Sequence, residues 1–423
     1  ERAQAVYPVA SPLGCEAILA GHRPHVVGGA VYAGWGLTEA RVALPRRPGR
    51  PSVEQLFDAV MMRYAHWAEP ATGEPCSLAH VIEMLAAQAR AFRATDGPMR
   101  LYAVRPWKRP PVRRFLGAAG APVRFAGPTG DAREVVWAAR EVERPSAVAR
   151  IEDGGVRSRW LGARRVPPCS LERDGSGSYF DPHRESDLEH LIAASSDLPR
   201  AALDRAERLR TQIVTAGVGK YNLPSGKGLP RRSVLVVGQV EDDASIRLGT
   251  GPVTTNGDLL KRARTARPDA HLVYRPHPDV AAGLRPGAVD AASRGADLVV
   301  EGGDIAPLWP LVDEVWTLTS LAGFEALLRG IQVQCLGAPI YAGWGLTQDH
   351  WTEPFAARRT ARPSLAGLIH ACLIDYPMYL DPLTGTHCSA ERAVARIARH
   401  ETQPRGQVLR VVSAVQTWLR QGR

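Results

Sequence analysis

The sequence predicts an α/β protein: two facing Rossmann-like subdomains around a central cleft, with additional helical segments. Three observations predict it. Short apolar runs alternate with stretches of helical period from Met99 to about residue 320, the pattern of parallel strands joined by helices. A Pro/Gly/Lys-rich stretch, LPSGKGLPRR at 223–232, divides these runs into two sets. The phrase YAGWGLT at 32–38 returns at 341–347, 309 positions later.

The repeat extends well beyond those residues. Ser11, Gly14, Glu16, Ala17, Leu19, Gly21 and Gly28 recur without a gap as Ser320, Gly323, Glu325, Ala326, Leu328, Gly330 and Gly337. After a three-residue insertion, Pro51-Ser52, Tyr64 and Cys76-Ser77 recur as Pro363-Ser364, Tyr376 and Cys388-Ser389. Solenoid units run ~20–50 residues, so a period this long belongs to a duplicated domain. The first copy matches nothing upstream of Ala10, and the chain opens on Glu1. The expectation is therefore a fragment: the tail of one module followed by a complete second.

Composition describes a globular chain, with 45% hydrophobic and 23% charged residues. The net charge is +10, and only four of the 53 basic residues are lysines. An Arg-rich balance of this kind fits a high-GC genome, and it also fits attraction to anionic lipid surfaces or anionic substrates. No dense Lys/Arg block and no interleaving of basic and aromatic residues points to nucleic acid. The six cysteines are scattered, with no CxxC and no histidine at metal spacing. That speaks against zinc or a disulfide scaffold and for a reducing cytoplasm. No apolar run reaches the ~18 residues of a membrane-spanning helix.

The elements follow in order. Residues 1–45 are the remnant of the first module. Residues 46–97 read as a helical linker, in which Ser52 caps a helix carrying Val53, Leu56, Phe57, Val60 and Met61 on one face, with a second helix over 79–93. Residues 98–228 form the first subdomain, with strands at 101–104, 122–125, 134–139 and 146–153. Residues 229–375 form the second, with strands at 233–240, 270–278, 297–303 and 314–320 and helices at 256–267 and from Leu321 to Arg329. Residues 376–423 read as a helical tail. Ligands of such folds bind outside the carboxyl ends of the strands, so the strand exits hold the candidate residues.

The strand VLVVGQV ends at Gln239 and runs into Glu241, Asp242, Asp243, Ala244 and Ser245. These acids form either a solvated turn or a carboxylate able to act as base or nucleophile in the cleft. The strand HLVYRPHPD brings out Arg275, His277 and Asp279. Pro276 and Pro278 fix the backbone and aim His277, and an imidazole beside an arginine suits a phosphate. The strand EVWTLTS delivers Thr317, Thr319 and Ser320 to a helix start, where hydroxyls and free N–H groups suit an anion. A plain Ser N-cap explains Ser320 equally well. Glu325 lies one turn in, within reach of a sugar hydroxyl. The segment IEDGGVRS at 151–158 sets Glu152, Asp153 and Arg157 on the facing subdomain. Trp344, between Gly343 and Gly345, is either core or a pocket wall.

Taken in order, GQVEDDAS, YRPHPD, TLTSLAGFEALL and YAGWGLT resemble the KpsC/LipB family of capsule polysaccharide proteins. So do IEDG with VRS and LGA, YFD with SDLE at 179–189, and GKYNLPSG at 219–226. The resemblance covers essentially the whole chain. It implies a GT-B-like fold and a retaining β-Kdo glycosyltransferase that uses CMP-Kdo to extend a Kdo-primed (lyso)phosphatidylglycerol linker for capsule export. Residues 98–228 would then be the acceptor side and 229–375 the nucleotide-sugar side. The resemblance makes Asp243 the carboxylate nucleophile, Glu152 an acid/base or acceptor-side group, and His277 with Thr319 and Ser320 the phosphate holders. Gln239, Ser245, Arg275, Glu325, Lys220 and Asn222 complete the implied substrate contacts. No metal or cofactor is implied, since Arg275, His277 and the Ser320 helix start can neutralise the leaving phosphate. The implied setting is the inner face of the inner membrane, in peripheral contact with it, beside a capsule export complex and without nucleic acid. A related transferase or epimerase on the same fold, or a non-catalytic assembly scaffold, remains the alternative.

Overall fold

The computed structural model describes residues 3–70, 72–127, 133–138, 149–158, 166–219 and 232–401. The chain divides into two compact units, Glu1–Glu83 and Met84–Arg423. Among the described residues no helix is long and apolar enough to cross a membrane.

The first unit holds α1 (Leu13–Leu19), a parallel pair β1 (His25–Val26) and β2 (Glu39–Ala40), α2 (Val53–Phe57) running into a π-helical turn (Asp58–Tyr64), an antiparallel pair β3 (Trp67–Ala68) and β4 (Pro75–Cys76), and the start of α3 (Leu78–Ala94). Its core is small: Ile18, Val26, Ala30, Tyr32, Ala33 and Leu56. Ser52 caps α2 as its sequence position suggests, in a reciprocal capping box with Gln55.

The second unit contains two sheets. The first is built from β5 (Met99–Tyr102), α4 (Arg109–Leu116), β6 (Val123–Phe125), β7 (Arg133–Trp137), β8 (Ala149–Asp153) and β9 (Ser170–Asp174). Helices α5 (Asp187–Ala194) and α6 (Arg200–Ala216) follow. The second sheet is built from β10 (Ser233–Val237), α7 (Ala244–Gly249), α8 (Asn256–Ala266), β11 (Leu272–Arg275), the single turn α9 (Pro278–Ala281), β12 (Leu298–Val299), β13 (Val312–Thr317), α10 (Leu321–Leu327), β14 (Gln332–Cys335) and β15 (Gln348–Asp349). The chain closes with α11 (Leu365–Ile369) and its π-helical turn (His370–Asp375), β16 (Pro377–Leu380), β17 (His387–Cys388) and α12 (Ala390–Ala398).

The second sheet is wholly parallel, in the order β12-β11-β10-β13-β14-β15. That is the doubly wound Rossmann order, and its growth reverses between β10 and β13. Every residue of β10 is buried, as a central parallel strand requires. The first sheet is mixed, in the order β17-β16-β9-β8-β7-β5-β6. Strands β16 and β17 join it antiparallel, so 377–380 and 387–388, expected within a helical tail, complete the first subdomain's sheet instead. The expected helical linker likewise contains the β3–β4 pair.

The sequence repeat is a structural one. The register His25↔Glu39 matches Gln334↔Gln348. Tyr32 donates to Ser11 O and Tyr341 to Ser320 O, both at 2.5 Å. Trp35 donates to Val31 O, and Trp344 to Ile340 O. Arg47 spans Ala30 O and Ala33 O, and Arg359 spans Pro339 O and Ala342 O. The correspondence runs on through the Ser52 and Ser364 caps, both π-helical turns and the pairings Trp67↔Cys76 and Tyr379↔Cys388. It therefore includes most of 46–97. Among the described residues of 1–83 no element corresponds to β10 or α6, which cover the second copy's apolar faces. The same positions are bare in the first: Val9 is 67% exposed where Leu318 is 0%, and Tyr64 83% where Tyr376 is 8%.

Candidate functional site

The reversal between β10 and β13 opens a crevice at the carboxyl ends of the strands. Gly238 follows β10 there, and a Cβ on it would overlap the hydroxyl of Tyr274. The next residue, Gln239, is buried and fully engaged. Its Nε2 donates to Thr319 Oγ1 at 3.0 Å, its Oε1 accepts from Thr319 N at 2.8 Å, and its backbone is held by Asn256. Gln239 is thus a clasp between the two strand exits as well as a wall of the crevice.

Asp243 is exposed and caps α7, accepting from Ser245 N at 3.0 Å and Ser245 Oγ at 2.8 Å. His277 caps α9, its Nδ1 accepting from Asp279 N at 3.1 Å. Ser320 caps α10 through Ala322 N, while its own N–H donates to Thr317 Oγ1. Each of these residues therefore serves a local backbone purpose, and each also lines the crevice. Arg275 is buried at the end of β11, donating to Gly302 O at 2.9 Å and Gly303 O at 2.6 Å. Burial pulls its pKa down, opposed by Asp304 and Glu325. Burial in turn pushes the Asp304 carboxyl up, against the backbone N–H groups of Ala306 and Ile305 and the nearby Arg275 and Arg329.

The opposite wall comes from the first sheet. Strand β8 ends on Glu152 and Asp153, and a Cβ on the following Gly154 would overlap Ser170 Oγ. Asp153 Oδ2 accepts from Lys108 Nζ at 2.9 Å and from Arg157 Nε at 2.7 Å. The Asp153 N–H donates to Glu152 Oε1 at 3.0 Å.

Together these residues line one cavity of about 440 Å³. The nine described residues of the implied site line it: Glu152, Gln239, Asp243, Ser245, Arg275, His277, Thr319, Ser320 and Glu325; Asp153, Arg157 and Asp279 line it too, whereas Glu241, Asp242 and Thr317 do not. Lys220 and Asn222 lie outside the described residues. Trp344 does not line the cavity; it is 1% exposed, in the core. Three participants escaped the sequence reading. Asp304 lines the cavity behind the Gly302-Gly303 turn that follows β12, and that glycine pair was its signal. Arg285 lines it while pairing with Asp242 at 2.6 Å. Lys108 stands behind Asp153, and its rarity in an arginine-rich chain was the only hint.

The cavity's wall types define its chemistry. One side offers hydroxyls, an imidazole and a buried guanidinium at strand exits, which suits a phosphate; the other offers carboxylates.

The family model for capsule polysaccharide biosynthesis proteins matches residues 1–69 and 224–379. The capsule polysaccharide modification protein LipA of Neisseria meningitidis serogroup A is 36% identical over 94% of this chain, and the chain spans 60% of that relative's length. The lipopolysaccharide-processing protein LpsZ of Rhizobium meliloti is 43% identical over 59% of this chain and 58% of its own length. Among solved structures, KpsC of Thermosulfurimonas dismutans, a β-Kdo 2,7 transferase, is 30% identical with a TM-score of 0.58, covering 72% of this chain and all of that one. A second structure of KpsC from that organism, a β-Kdo 2,4 transferase, is 29% identical with a TM-score of 0.61, covering 71% of this chain and 98% of that one. The likeness fits the GT-B-like arrangement of two sheets around a cleft described above. The chain belongs to the capsule polysaccharide biosynthesis protein family.

Proposed function

We propose that this chain is a retaining β-Kdo transferase. It moves Kdo from CMP-Kdo to a Kdo-primed (lyso)phosphatidylglycerol linker, at the inner face of the inner membrane in service of a capsule export complex. The observation that carries the reading is the meeting of phosphate-holding groups and carboxylates across one cleft, at the reversal point of a Rossmann-ordered sheet. The solved relatives named as β-Kdo transferases supply the sugar.

In this reading residues 229–375 hold the donor and residues 98–228 receive the acceptor. His277, Thr319 and Ser320 bind the CMP phosphate, with Arg275 adding its buried charge from behind. Retention needs two inversions or a front-face route, and a carboxylate in the cleft favours the first. The Asp243 carboxylate attacks the anomeric carbon, and the bond to CMP breaks with its electrons passing to the phosphate oxygen. The acceptor hydroxyl then displaces the carboxylate from the same carbon, and its proton passes to Glu152. Gln239 and Ser245 hold the donor-side loops, and Glu325 reaches a sugar or ribose hydroxyl.

The test is mass spectrometry of products from CMP-Kdo and a Kdo-primed lipid acceptor, with CDP- and UDP-linked sugars in parallel. Transfer of one Kdo from CMP-Kdo alone is expected. Turnover of a CDP- or UDP-linked sugar with CMP-Kdo left intact would overturn the reading.

A further inference from the structure

Against the expectation that the basic residues form no dense block, one stretch gathers positive charge with no acid to offset it. Residues 98–127 carry seven arginines and lysines and no acid, against a net charge of +10 for all 423 residues. The fold gathers these residues on one edge of the first sheet, at α4 and the edge strand β6. Val112, Phe115 and Leu116 of α4 are buried in the core below. That leaves Arg109 and Arg113, one turn apart, on the outer face, with Arg114 beside them. Arg105, Arg109, Arg113, Arg114 and Arg124 are all exposed. Among the described residues none of the five has a carboxylate within ion-pair distance. Phe125 on β6 lies beneath two of them, its ring centre 5.5 Å from the Arg109 guanidinium and 5.1 Å from that of Arg113.

We propose that this α4–β6 surface docks the protein on an anionic lipid bilayer. Unpaired guanidiniums repel one another, and a polyanionic surface relieves that repulsion while gaining attraction from each charge near it. An aromatic ring among basic side chains suits the headgroup layer, where apolar and charged groups meet. The location fits a lipid-borne acceptor. The turn Pro106–Lys108 leads directly into α4, and Lys108 Nζ contacts Asp153 in the cleft wall. Helix α4 is only ~12 Å long, so the basic face begins beside the cleft and stays near it. An acceptor held in the membrane would meet the carboxylate wall without leaving the lipid surface. This inference rests on the acceptor being a lipid, as proposed above.

The experiment floats the 423-residue chain with vesicles of phosphatidylcholine, alone or mixed with phosphatidylglycerol. The same protein is assayed for transfer to a water-soluble Kdo acceptor. Wild type is expected to bind the mixed vesicles, to ignore phosphatidylcholine, and to release as salt rises. The triple variant Arg109→Glu, Arg113→Glu, Arg114→Glu, and its glutamine counterpart, should each lose roughly tenfold or more of vesicle binding. Both should keep soluble-acceptor turnover. Undiminished vesicle binding by the variants, a wild type indifferent to phosphatidylglycerol, or a preference for homopolymeric RNA over the vesicles would overturn the proposal. Absent soluble-acceptor turnover in wild type would instead count against the transferase reading, and the vesicle result would still stand.

Discussion

Lys108 Nζ lies 2.9 Å from Asp153 Oδ2 and 3.6 Å from the ring centre of Trp137, so a buried lysine is caught between a carboxylate and an indole face. The carboxylate is shared with Arg157. Burial works against the charge of Asp153, yet Arg157 and Lys108 together outweigh it and hold the carboxyl below its ordinary range. Lys108 fares differently. Burial draws its pKa down by more than a shared carboxylate returns. The triad fixes the end of β8, and with it the Asp153 N–H that orients Glu152.

Asp153→Asn removes the carboxylate shared by Lys108 and Arg157, leaving Glu152 as the remaining acid acting on Lys108, and breaking such a pair costs about 3–5 kcal/mol. The sign of its pH dependence follows from the lowered carboxyl. The wild-type advantage is complete above the unfolded carboxyl value of about 4, and it is lost as pH falls through the lower folded value. Urea unfolding of both proteins from pH 6 downwards should show the gap closing only in strong acid. A constant gap would mean that the carboxylate's charge is not what stabilises this wall.

Asp243 serves two purposes that substitution can separate. Asp243→Asn keeps an N-cap for α7, whereas Asp243→Ala loses one at a cost of about 1 kcal/mol. Both should abolish Kdo transfer, and only the alanine variant should melt measurably lower. Near-normal turnover by a folded Asp243→Asn would rule out the nucleophile role.

His277→Ala removes the acceptor for Asp279 N, in a single-turn helix with little packing to lose. Stability should fall by no more than about 1 kcal/mol. A hydrogen bond to a charged phosphate is worth about 1.5–3 kcal/mol, so CMP affinity by calorimetry should drop roughly tenfold or more. Unaltered affinity would remove His277 from the phosphate site.

Gly323 sits against Tyr341, and a Cβ there would overlap the phenol that donates to Ser320 O. Gly323→Ala should therefore cost about 2 kcal/mol or more by overpacking and by loss of that bond. Denaturant titration checks it; a change under about 0.5 kcal/mol would show that α10 can slide to make room.

Four of the second sheet's six strands were legible because they are short apolar runs ended by glycine, proline or acid; β14 (QVQC) and β15 (QD) were not, being short and polar. SVLVV is buried throughout, although the strand ends at Val237, two residues short of the expected end at Gln239. The first sheet was legible only in part. Pro377–Leu380 is four residues long and follows a π-helical turn, so nothing local marks it as a strand; its partner Ser170–Glu172 lies some 200 residues earlier. The cleft residues were found because strand exits are predictable positions. Lys108 was not, because its significance is a contact across 45 residues. Nor could the sequence show that Arg275 holds the Gly302-Gly303 turn or that Asp243 caps a helix, since both depend on where the backbone turns.

The Gln239 clasp sets what the second strand exit demands of position 319. The two copies share the tyrosine bond and the strand register, yet Ala10 stands in the first where the second has Thr319. With alanine at 319, Gln239 Oε1 would still accept the backbone N–H, but its Nε2 would face a methyl group in a buried setting. An unmet amide of that kind costs about 1–3 kcal/mol. One hydroxyl thus separates a strand exit that is tied to its neighbour from one that shares only its shape.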